Sequence, residues 1–218
     1  MSKQFIAILA ILVLGFFGLL FFTKNDSNNP SSDGSSGTGQ TSNHTYGEGK
    51  SGVALVEYGD FQCPSCGKYF PIVQQLKAKY KDQITFQFKH FPLVEIHQNA
   101  LIAARAAEAA GLQNKFWEMH DLLFTNQTAW SQSSSPTNYF EQYAKQLNLD
   151  VNKFKTDLTS QGVNSTIQAD LKEAKDNGYD STPTFVLDGK KLDDAQPTVE
   201  YFSNKIDEAI KAKQNSGQ

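Results

Sequence analysis

The segment Val53-Ala-Leu-Val-Glu-Tyr-Gly-Asp-Phe-Gln-Cys-Pro-Ser-Cys66 joins a short apolar run to the two cysteines of this 218-residue chain. The first six residues are mostly apolar and include two valines, which predicts a buried β-strand, and a short loop follows. From Pro64 to about Tyr80, apolar side chains recur every three or four residues, which predicts a helix, and proline suits a first helical turn. The cysteines therefore lie at the N-terminus of a helix that follows a buried strand.

Cys63 and Cys66 stand three positions apart, so on a helix they share one face. The N-terminus of a helix has unpaired N–H groups and a partial positive charge, and both stabilise an anion. We therefore expect the thiol of Cys63 to ionise readily, while Cys66 lies further in and is better shielded. A thiol with a low pKa is largely thiolate at neutral pH and leaves easily, so the pair indicates thiol–disulfide exchange.

Two other uses of the cysteine pair stay open on spacing alone. A purely structural disulfide would close a very short loop and would stabilise the fold little. A zinc site needs about four ligands, of which the pair supplies two. The four histidines show no paired spacing that would complete such a site; they are His44, His90, His97 and His120. The sequence favours redox chemistry and predicts no metal.

The rest of the pattern predicts an α/β sheet domain with a helical insertion. Residues 84–89 alternate in polarity and predict a second strand, and residues 184–192 predict a hairpin around Asp188-Gly189. Helical runs broken by Ser, Asn and Gly lie between these strands, and a last amphipathic helix covers residues 198–213. The predicted domains are a sheet domain formed by residues 46–96 and 179–215, and an inserted helical domain formed by residues 97–178.

The N-terminal part predicts a membrane anchor and a linker. Residues 5–22 are 18 positions without a charge, and as a helix they would span about 27 Å, enough for the hydrocarbon layer of a bilayer. We therefore predict a transmembrane signal anchor within residues 1–22, with Lys3 favouring a cytoplasmic N-terminus. The alternative is a cleaved signal peptide, although no small-x-small site follows the run. Residues 23–45 lack aliphatic side chains and predict a disordered polar linker.

The formal net charge of the chain is −3. Nucleic-acid-binding proteins usually carry a basic excess or a basic patch. The charge therefore argues against a nucleic-acid partner.

Four segments together carry a family resemblance. They are VEYGDFQCPSC (56–66), NALIAARAAEAA (99–110), KFWEMHDLLF (115–124) and TPTF (182–185). These segments resemble the DsbA-like thiol:disulfide oxidoreductases of the thioredoxin superfamily, of the membrane-anchored bacterial type, and the resemblance covers roughly residues 46–213. It implies a thioredoxin fold with an inserted α-helical domain, here preceded by an N-terminal transmembrane helix.

The resemblance also implies roles for individual residues. Cys63 would be the exchanging sulfur and Cys66 the resolving one, and their redox-active disulfide would be the only cofactor. The Thr182–Pro183 peptide bond would be cis and face the cysteines, and Thr182 would offer backbone groups to an extended substrate. Between the cysteines stand Pro64 and Ser65, whereas strongly oxidising members carry Pro-His. Because Ser65 offers only a hydroxyl, the resemblance implies a less extreme potential.

Glu57 lies six residues before Cys63 and matches the buried acid below the active site of thioredoxin-like proteins. A buried carboxyl group is costly unless it is paired or protonated. By analogy with the family, Lys89 at the end of the second strand would be its partner, and the two would relay protons to and from Cys66. The alternative is that Glu57 points to solvent and that Lys89 is an ordinary surface lysine.

The expected function is that of a membrane-tethered, extracytoplasmic oxidoreductase. It would donate the Cys63–Cys66 disulfide to unfolded or cysteine-containing secreted or surface proteins. A quinone-linked oxidase in the membrane would re-oxidise it. Three alternatives remain: a reductase or isomerase that uses the same site with a transmembrane electron donor, a non-catalytic peptide-binding module, and a metal-binding protein.

Overall fold

The computed structural model describes residues 39–216. The predicted membrane anchor (residues 1–22) and residues 23–38 of the predicted linker lie outside the described residues. In the part from residue 39 to residue 216, no helix has both the length and the apolar character needed to cross a bilayer.

Five strands form one mixed sheet with the order β1-β3-β2-β4-β5. The strands are β1 His44–Tyr46, β2 Ala54–Gly59, β3 Thr85–His90, β4 Thr184–Leu187 and β5 Lys190–Lys191. β2 and β3 are parallel, and the other neighbours are antiparallel. The predicted hairpin is confirmed: Asp188 (φ 48°) and Gly189 (φ 80°) form a turn with two positive φ angles, which suits a two-residue hairpin loop.

Six helices separate β3 from β4, in the stretch predicted to be helical. The first described helix, α1 Pro64–Tyr80, lies between β2 and β3. The six are α2 Ala100–Gly111, α3 Phe116–Thr125, α4 Gln127–Trp130, α5 Thr137–Gln146, α6 Val151–Leu158 and α7 Gln161–Asp176. α8 Val199–Ser216 follows β5. The sequence did not predict α4. α2 begins after Asn99, and α7 is capped by Ser160, whose hydroxyl accepts from the Val163 N–H at 3.2 Å.

The predicted end of the linker at residue 45 is wrong. β1 pairs antiparallel with β3, with His44 opposite Phe88, and Ser42 is buried. The backbone N–H of Ser42 donates to Asp170 at 2.8 Å. Residues 39–45 lack the apolar periodicity that marks a strand. His44–Tyr46 pair because β3 offers a free edge.

The sheet has a helical layer on each face. α1 and α8 pack on one face, where an apolar cluster joins Leu55 and Phe86 of the sheet to Leu76 and Phe202. α7 covers the other face, where Ala174 packs near Tyr58 and Val186. A third cluster joins the helices of the insertion to both cysteines and to Phe61 and Phe88. The cysteines thus lie where the sheet meets the insertion.

Candidate active site

Cys63 is the N-cap residue of α1 and Pro64 occupies the first helical turn. The backbone of Cys63 is extended (φ −64°, ψ 122°), and no side chain caps this end of the helix. Both cysteines are free thiols. Cys63 keeps 7% of its surface exposed, whereas Cys66, one turn further in, is fully buried. Cys63 thus keeps a small exposed fraction and Cys66 keeps none, which agrees with the prediction that Cys66 is the better shielded of the two.

The two thiols have opposite protonation preferences. A hydrogen bond from the Cys66 thiol lowers the pKa of Cys63 to about 5, helped by the Thr182 side chain and by the backbone N–H groups of Cys66 and Ser65, and opposed by burial. Ser65 therefore acts through its backbone. Burial, the hydrogen bond to Cys63 and the nearby Glu57 raise the pKa of Cys66 well above its ordinary value. At neutral pH the reduced site thus holds one thiolate and one thiol.

The predicted cis peptide bond between Thr182 and Pro183 is confirmed. It lies next to the cysteines: the Thr182 carbonyl oxygen is 3.4 Å from the sulfur of Cys63, which can donate to it when protonated. The Thr182 hydroxyl oxygen is also buried, and it helps to lower the pKa of the neighbouring Cys63. The structure therefore brings Cys63 and Thr182 together in the predicted arrangement.

Glu57 lies in β2 and is buried. Burial raises the pKa of its carboxyl group to about 8, an effect that the positive charge of Lys77 opposes and that Cys63 reinforces. Its Oε1 atom finds no hydrogen-bond partner within the described residues. Glu57 borders a cavity of about 10 Å³, which has room for about one water molecule. The alternative that Glu57 points to solvent is excluded.

The predicted pairing of Glu57 with Lys89 is wrong. In the parallel register of β2 and β3, Glu57 stands opposite Phe88, and Lys89 stands opposite Tyr58. Because successive side chains of a strand point to opposite faces, Lys89 lies on the face opposite Glu57. There it forms a short ion pair with Glu173 of α7, which also accepts from the Tyr58 hydroxyl at 2.6 Å. Lys89 supports the attachment of α7 and does not face the cysteines.

Lys77 of α1 supplies the positive charge that acts on Glu57. It is buried, and its Nζ atom lies 3.9 Å from the ring centre of Trp117 and 4.5 Å from that of Tyr46. Burial lowers the pKa of Lys77, while Asp121 and Glu57 raise it. Sequence reasoning missed Lys77, although its position indicates that it is buried. Lys77 follows the apolar Val73 by four residues and therefore lies on the apolar face of α1.

Sequence reasoning also missed the contacts of the loop before the cysteines. Its Gln62 side chain accepts from the Asn99 N–H at 2.6 Å and donates to the Ser131 carbonyl at 2.7 Å. The Gln127 side chain donates to the carbonyl oxygens of Phe61 at 2.8 Å and Cys63 at 2.9 Å. These partners lie 37 to 69 positions away along the chain, so no local pattern reveals them. The insertion thus fixes the loop.

His44, His90 and Glu108 bring three possible metal ligands within 4.8 Å of one another. Both imidazole Nε2 atoms lie against Glu108 Oε1, at 2.6 Å and 2.7 Å. Ligand atoms bound tetrahedrally at about 2.0–2.1 Å from one zinc ion would lie about 3.3 Å apart. A metal-bound histidine also donates its second N–H, whereas His90 Nδ1 has no partner in residues 39–216. The geometry is that of a hydrogen-bonded network. Burial would raise the pKa of Glu108, but the two histidines outweigh it and lower that pKa to about 2.

A cysteine pair at the start of the helix that follows β2, with a cis-proline beside it, is the arrangement of the thioredoxin superfamily. The family model described as "Thioredoxin" matches residues 40–208. This chain therefore belongs to the thioredoxin family, which the resemblance in the sequence predicts.

Solved structures share this fold. The crystal structure of alpha-DsbA1 from Wolbachia pipientis superposes with a TM-score of 0.70, at 19% identity, over 80% of this chain and 94% of that one. Oxidised BdbD from Bacillus subtilis gives a TM-score of 0.66, at 24% identity, over 80% of this chain and 97% of that one. At these identities the likeness concerns the fold.

The similar curated proteins are much longer than the matching segment. The Na(+)/H(+) antiporter NhaA 1 of Salinispora arenicola is 38% identical over 148 residues, which are 68% of this chain and 22% of that protein. The NhaA 1 antiporter of Mycolicibacterium gilvum is 35% identical over 152 residues, or 24% of its length. The chain thus spans less than a quarter of these relatives, and antiport is a property named for those proteins.

Proposed function

We propose that this chain is a protein thiol:disulfide oxidoreductase that donates the Cys63–Cys66 disulfide to substrate proteins. The observation that carries the proposal is the contrast within the cysteine pair, in which the pKa of the accessible Cys63 is about 5 and that of the buried Cys66 is raised. A stabilised thiolate on Cys63 favours the reduced form of the pair. The disulfide form is therefore driven to accept electrons from a substrate.

The reaction consists of two exchanges. A substrate thiolate attacks the sulfur of Cys63, a bond forms between these sulfurs, and the electron pair of the broken Cys63–Cys66 bond leaves on Cys66. A second substrate thiolate then attacks the bound substrate sulfur, and the electron pair leaves on Cys63. The substrate loses two electrons and gains a disulfide, while the cysteine pair gains both electrons. Cys66 takes up a proton, and Cys63 stays a thiolate.

Glu57 is the proposed proton donor to Cys66. Its carboxyl group is largely protonated at neutral pH because burial raises its pKa to about 8. The charge of Glu57 acts on Cys66, so the two groups are close enough to couple. Lys77 on the same side of the sheet takes the role expected of Lys89, because it favours the carboxylate that is left after the proton moves.

Thr182 and Pro183 are the proposed contact for an extended substrate segment. The Thr182 carbonyl oxygen lies 3.4 Å from the sulfur of Cys63. Cys63 has no S–H to donate either in the disulfide or as a thiolate, so that carbonyl is available to a substrate N–H. Backbone hydrogen bonds of this kind bind extended segments with little dependence on their sequence.

The proposed location is the outer side of a membrane, with residues 5–22 as the anchor and the N-terminus in the cytoplasm. The support is the uncharged 18-residue run and the fact that protein disulfides persist outside the cytosol. The proposed substrates are unfolded or cysteine-containing secreted proteins, and a quinone-linked membrane oxidase would take the two electrons. We propose no metal cofactor and no nucleic-acid partner.

The equilibrium of the cysteine pair with glutathione tests the direction of the reaction. We expect a potential above about −180 mV, between those of protein disulfide isomerase and the strongest oxidants. A potential near about −270 mV, that of thioredoxin, would identify a reductase instead.

Two substitutions test whether the site turns over at all. The Cys63→Ser chain should lose oxidation of a reduced model protein. The Cys63 thiolate of the Cys66→Ser chain should attack glutathione disulfide, release one glutathione thiolate and keep the other half as a mixed disulfide that no neighbouring thiol resolves. Undiminished activity of Cys63→Ser in cells would support the non-catalytic peptide-binding module.

A further inference from the structure

Asp60, in the loop between β2 and α1, connects the buried cysteine to the segment that follows β3. Its backbone N–H donates to the sulfur of Cys66 at 3.5 Å. Its carboxylate is fully buried and accepts two backbone N–H groups, from Gln62 at 2.7 Å and from Leu93 at 2.9 Å. The third partner is His97, whose Nδ1 atom lies 2.7 Å from Asp60 Oδ2. A carboxylate only accepts hydrogen bonds, so the proton lies on His97 Nδ1.

The sulfur of Cys66 needs such a donor during exchange. In the first step of the proposed function, the electron pair of the disulfide leaves on this sulfur. Cys66 is fully buried, so water cannot stabilise the charge. A hydrogen bond to a buried anion is stronger than one between neutral groups. The Asp60 N–H is the backbone donor that the structure places against this sulfur.

We propose that His97 is a positioning residue for thiol–disulfide exchange, which holds the Asp60 N–H on the sulfur of Cys66 by fixing the Asp60 carboxylate. The inference rests on the proposed function, because it concerns the step in which Cys66 leaves. It also implies that the segment between β3 and α2 supports the loop that precedes α1. That segment contributes Leu93 and His97 to Asp60, and Asn99 to Gln62 of the same loop.

Other charged groups also act on Cys66 and must stay unchanged in the test. They are Glu57 of β2 and the thiolate of Cys63 at the start of the same helix. The hydrogen bonds of His97 and Asp60 involve neither group. A substitution at His97 therefore changes the hydrogen bond to Cys66 while it leaves both charges in place.

The test compares His97→Leu with His97→Asn in the full chain. The two side chains have nearly the same shape, but the asparagine amide nitrogen takes the place of Nδ1 and keeps a donor. We expect glutathione to attack the Cys63–Cys66 disulfide roughly two- to fivefold more slowly in the leucine chain, because the leaving thiolate of Cys66 is less stable. The asparagine chain should regain most of the rate. His44→Leu is the matched control. It removes from β1 a hydrogen-bond donor to Glu108, and the chain should react at the original rate.

A second rate separates positioning from a general loosening of the site. Alkylation of reduced Cys63 should keep its pH profile in the leucine chain, because Asp60 does not contact that sulfur through its side chain. A leucine chain that folds and keeps the original rate with glutathione would overturn the inference, as would equal slowing of the asparagine chain or an altered Cys63 profile. If the unmodified chain fails to oxidise substrates at all, the proposed function fails instead.

The unmodified chain offers a measurement that needs no substitution at His97. The amide proton of Asp60 should shift in nuclear magnetic resonance spectra when the Cys63–Cys66 disulfide is reduced, since its acceptor changes. Should the leucine chain fail to fold, this shift decides, and an unmoved Asp60 amide would overturn the inference.

Discussion

Cys63 is the residue on which the proposed chemistry depends most directly, because its sulfur takes part in both exchanges. Its pKa of about 5 has a mainly local origin: the Cys66 thiol and two backbone N–H groups at the start of α1 point at it, and together with the Thr182 side chain they outweigh its burial. Proline at the next position costs no hydrogen bond there. The strand–loop–helix pattern predicts this placement from the sequence, because it needs only neighbours within a few residues.

The ionisation of Cys63 should make the stability of the reduced protein depend on pH. The pKa of this thiol is lowered from 9.0 to about 5 in the folded state. A group with a lowered folded pKa stabilises the fold fully above its unfolded pKa, and the contribution is lost as pH falls through the folded value. The stability of the reduced protein relative to the oxidised protein should therefore decrease as the pH falls from about 9 to about 5. Thermal unfolding of both forms across this range measures the difference, and Cys63→Ser should show no such trend.

Glu57 should have the opposite effect. Its pKa is raised from 4.5 to about 8, so the folded state keeps a proton that the unfolded chain has lost. The fold is then destabilised progressively as pH rises from about 4.5 to 8, and the loss is complete above that. Glu57→Gln keeps the shape and cannot ionise, so its melting temperature should exceed that of the unmodified chain by more at pH 8 than at pH 5. A constant difference would show that Glu57 titrates normally.

The elements show which contacts a sequence can and cannot predict. Strand alternation places Phe86 and Phe88 on one face and Lys89 on the other, but matching Lys89 to Glu57 also needs the register between β2 and β3. β1 has only three residues and no periodicity, and its pairing depends on the free edge of β3. Most helices of the insertion could be predicted, because each buries an apolar stripe that recurs every three or four residues.

Substitutions in two elements should separate the roles of Lys77 and Lys89. Lys77→Met removes the charge that opposes the raised pKa of Glu57, so that pKa should rise by about one further unit. Lys89→Met is the matched control: it breaks the ion pair with Glu173 on the opposite face and should cost about 2 kcal/mol of stability. It should leave the titration of Glu57 in place. The pKa of Glu57 in both variants can be measured from the carbon-13 chemical shift of its carboxyl group as a function of pH. A pKa that rises only in Lys89→Met would support the pairing of Glu57 with Lys89 that the family resemblance implies.

In the described part of the molecule, the sheet and the insertion pack together around the cysteines. One apolar cluster contains both sulfurs, Phe61 of the preceding loop and buried side chains from most helices of the insertion. Asp170 of α7 adds a polar connection, since it is fully buried and accepts from the backbone N–H of Ser42 at 2.8 Å and of His90 at 2.9 Å. The insertion therefore contacts the edge strand, a central strand and the active-site helix, which makes separate unfolding costly.

Unfolding by denaturant should accordingly be a single transition. Trp117 and Trp130 are the two tryptophans and lie in α3 and α4, so their fluorescence reports on the insertion. Labelling of buried Cys66 in a Cys63→Ser chain reports on the active-site helix. Both probes should give one midpoint, because the cluster at the cysteines has to open for either signal to change.

Asp170→Ala should shift both midpoints together. It leaves the N–H of His90 and that of Ser42 without their acceptor, so we expect a loss of about 3 kcal/mol. Asp176→Ala, which removes an exposed ion pair with Lys172 in the same helix, should cost less than about 1 kcal/mol. If the fluorescence of Asp170→Ala changes at a lower denaturant concentration than the labelling of Cys66, the insertion unfolds on its own. The loop before the cysteines would then lose its support before the sheet does, and exchange activity should fall with the fluorescence rather than with the exposure of Cys66.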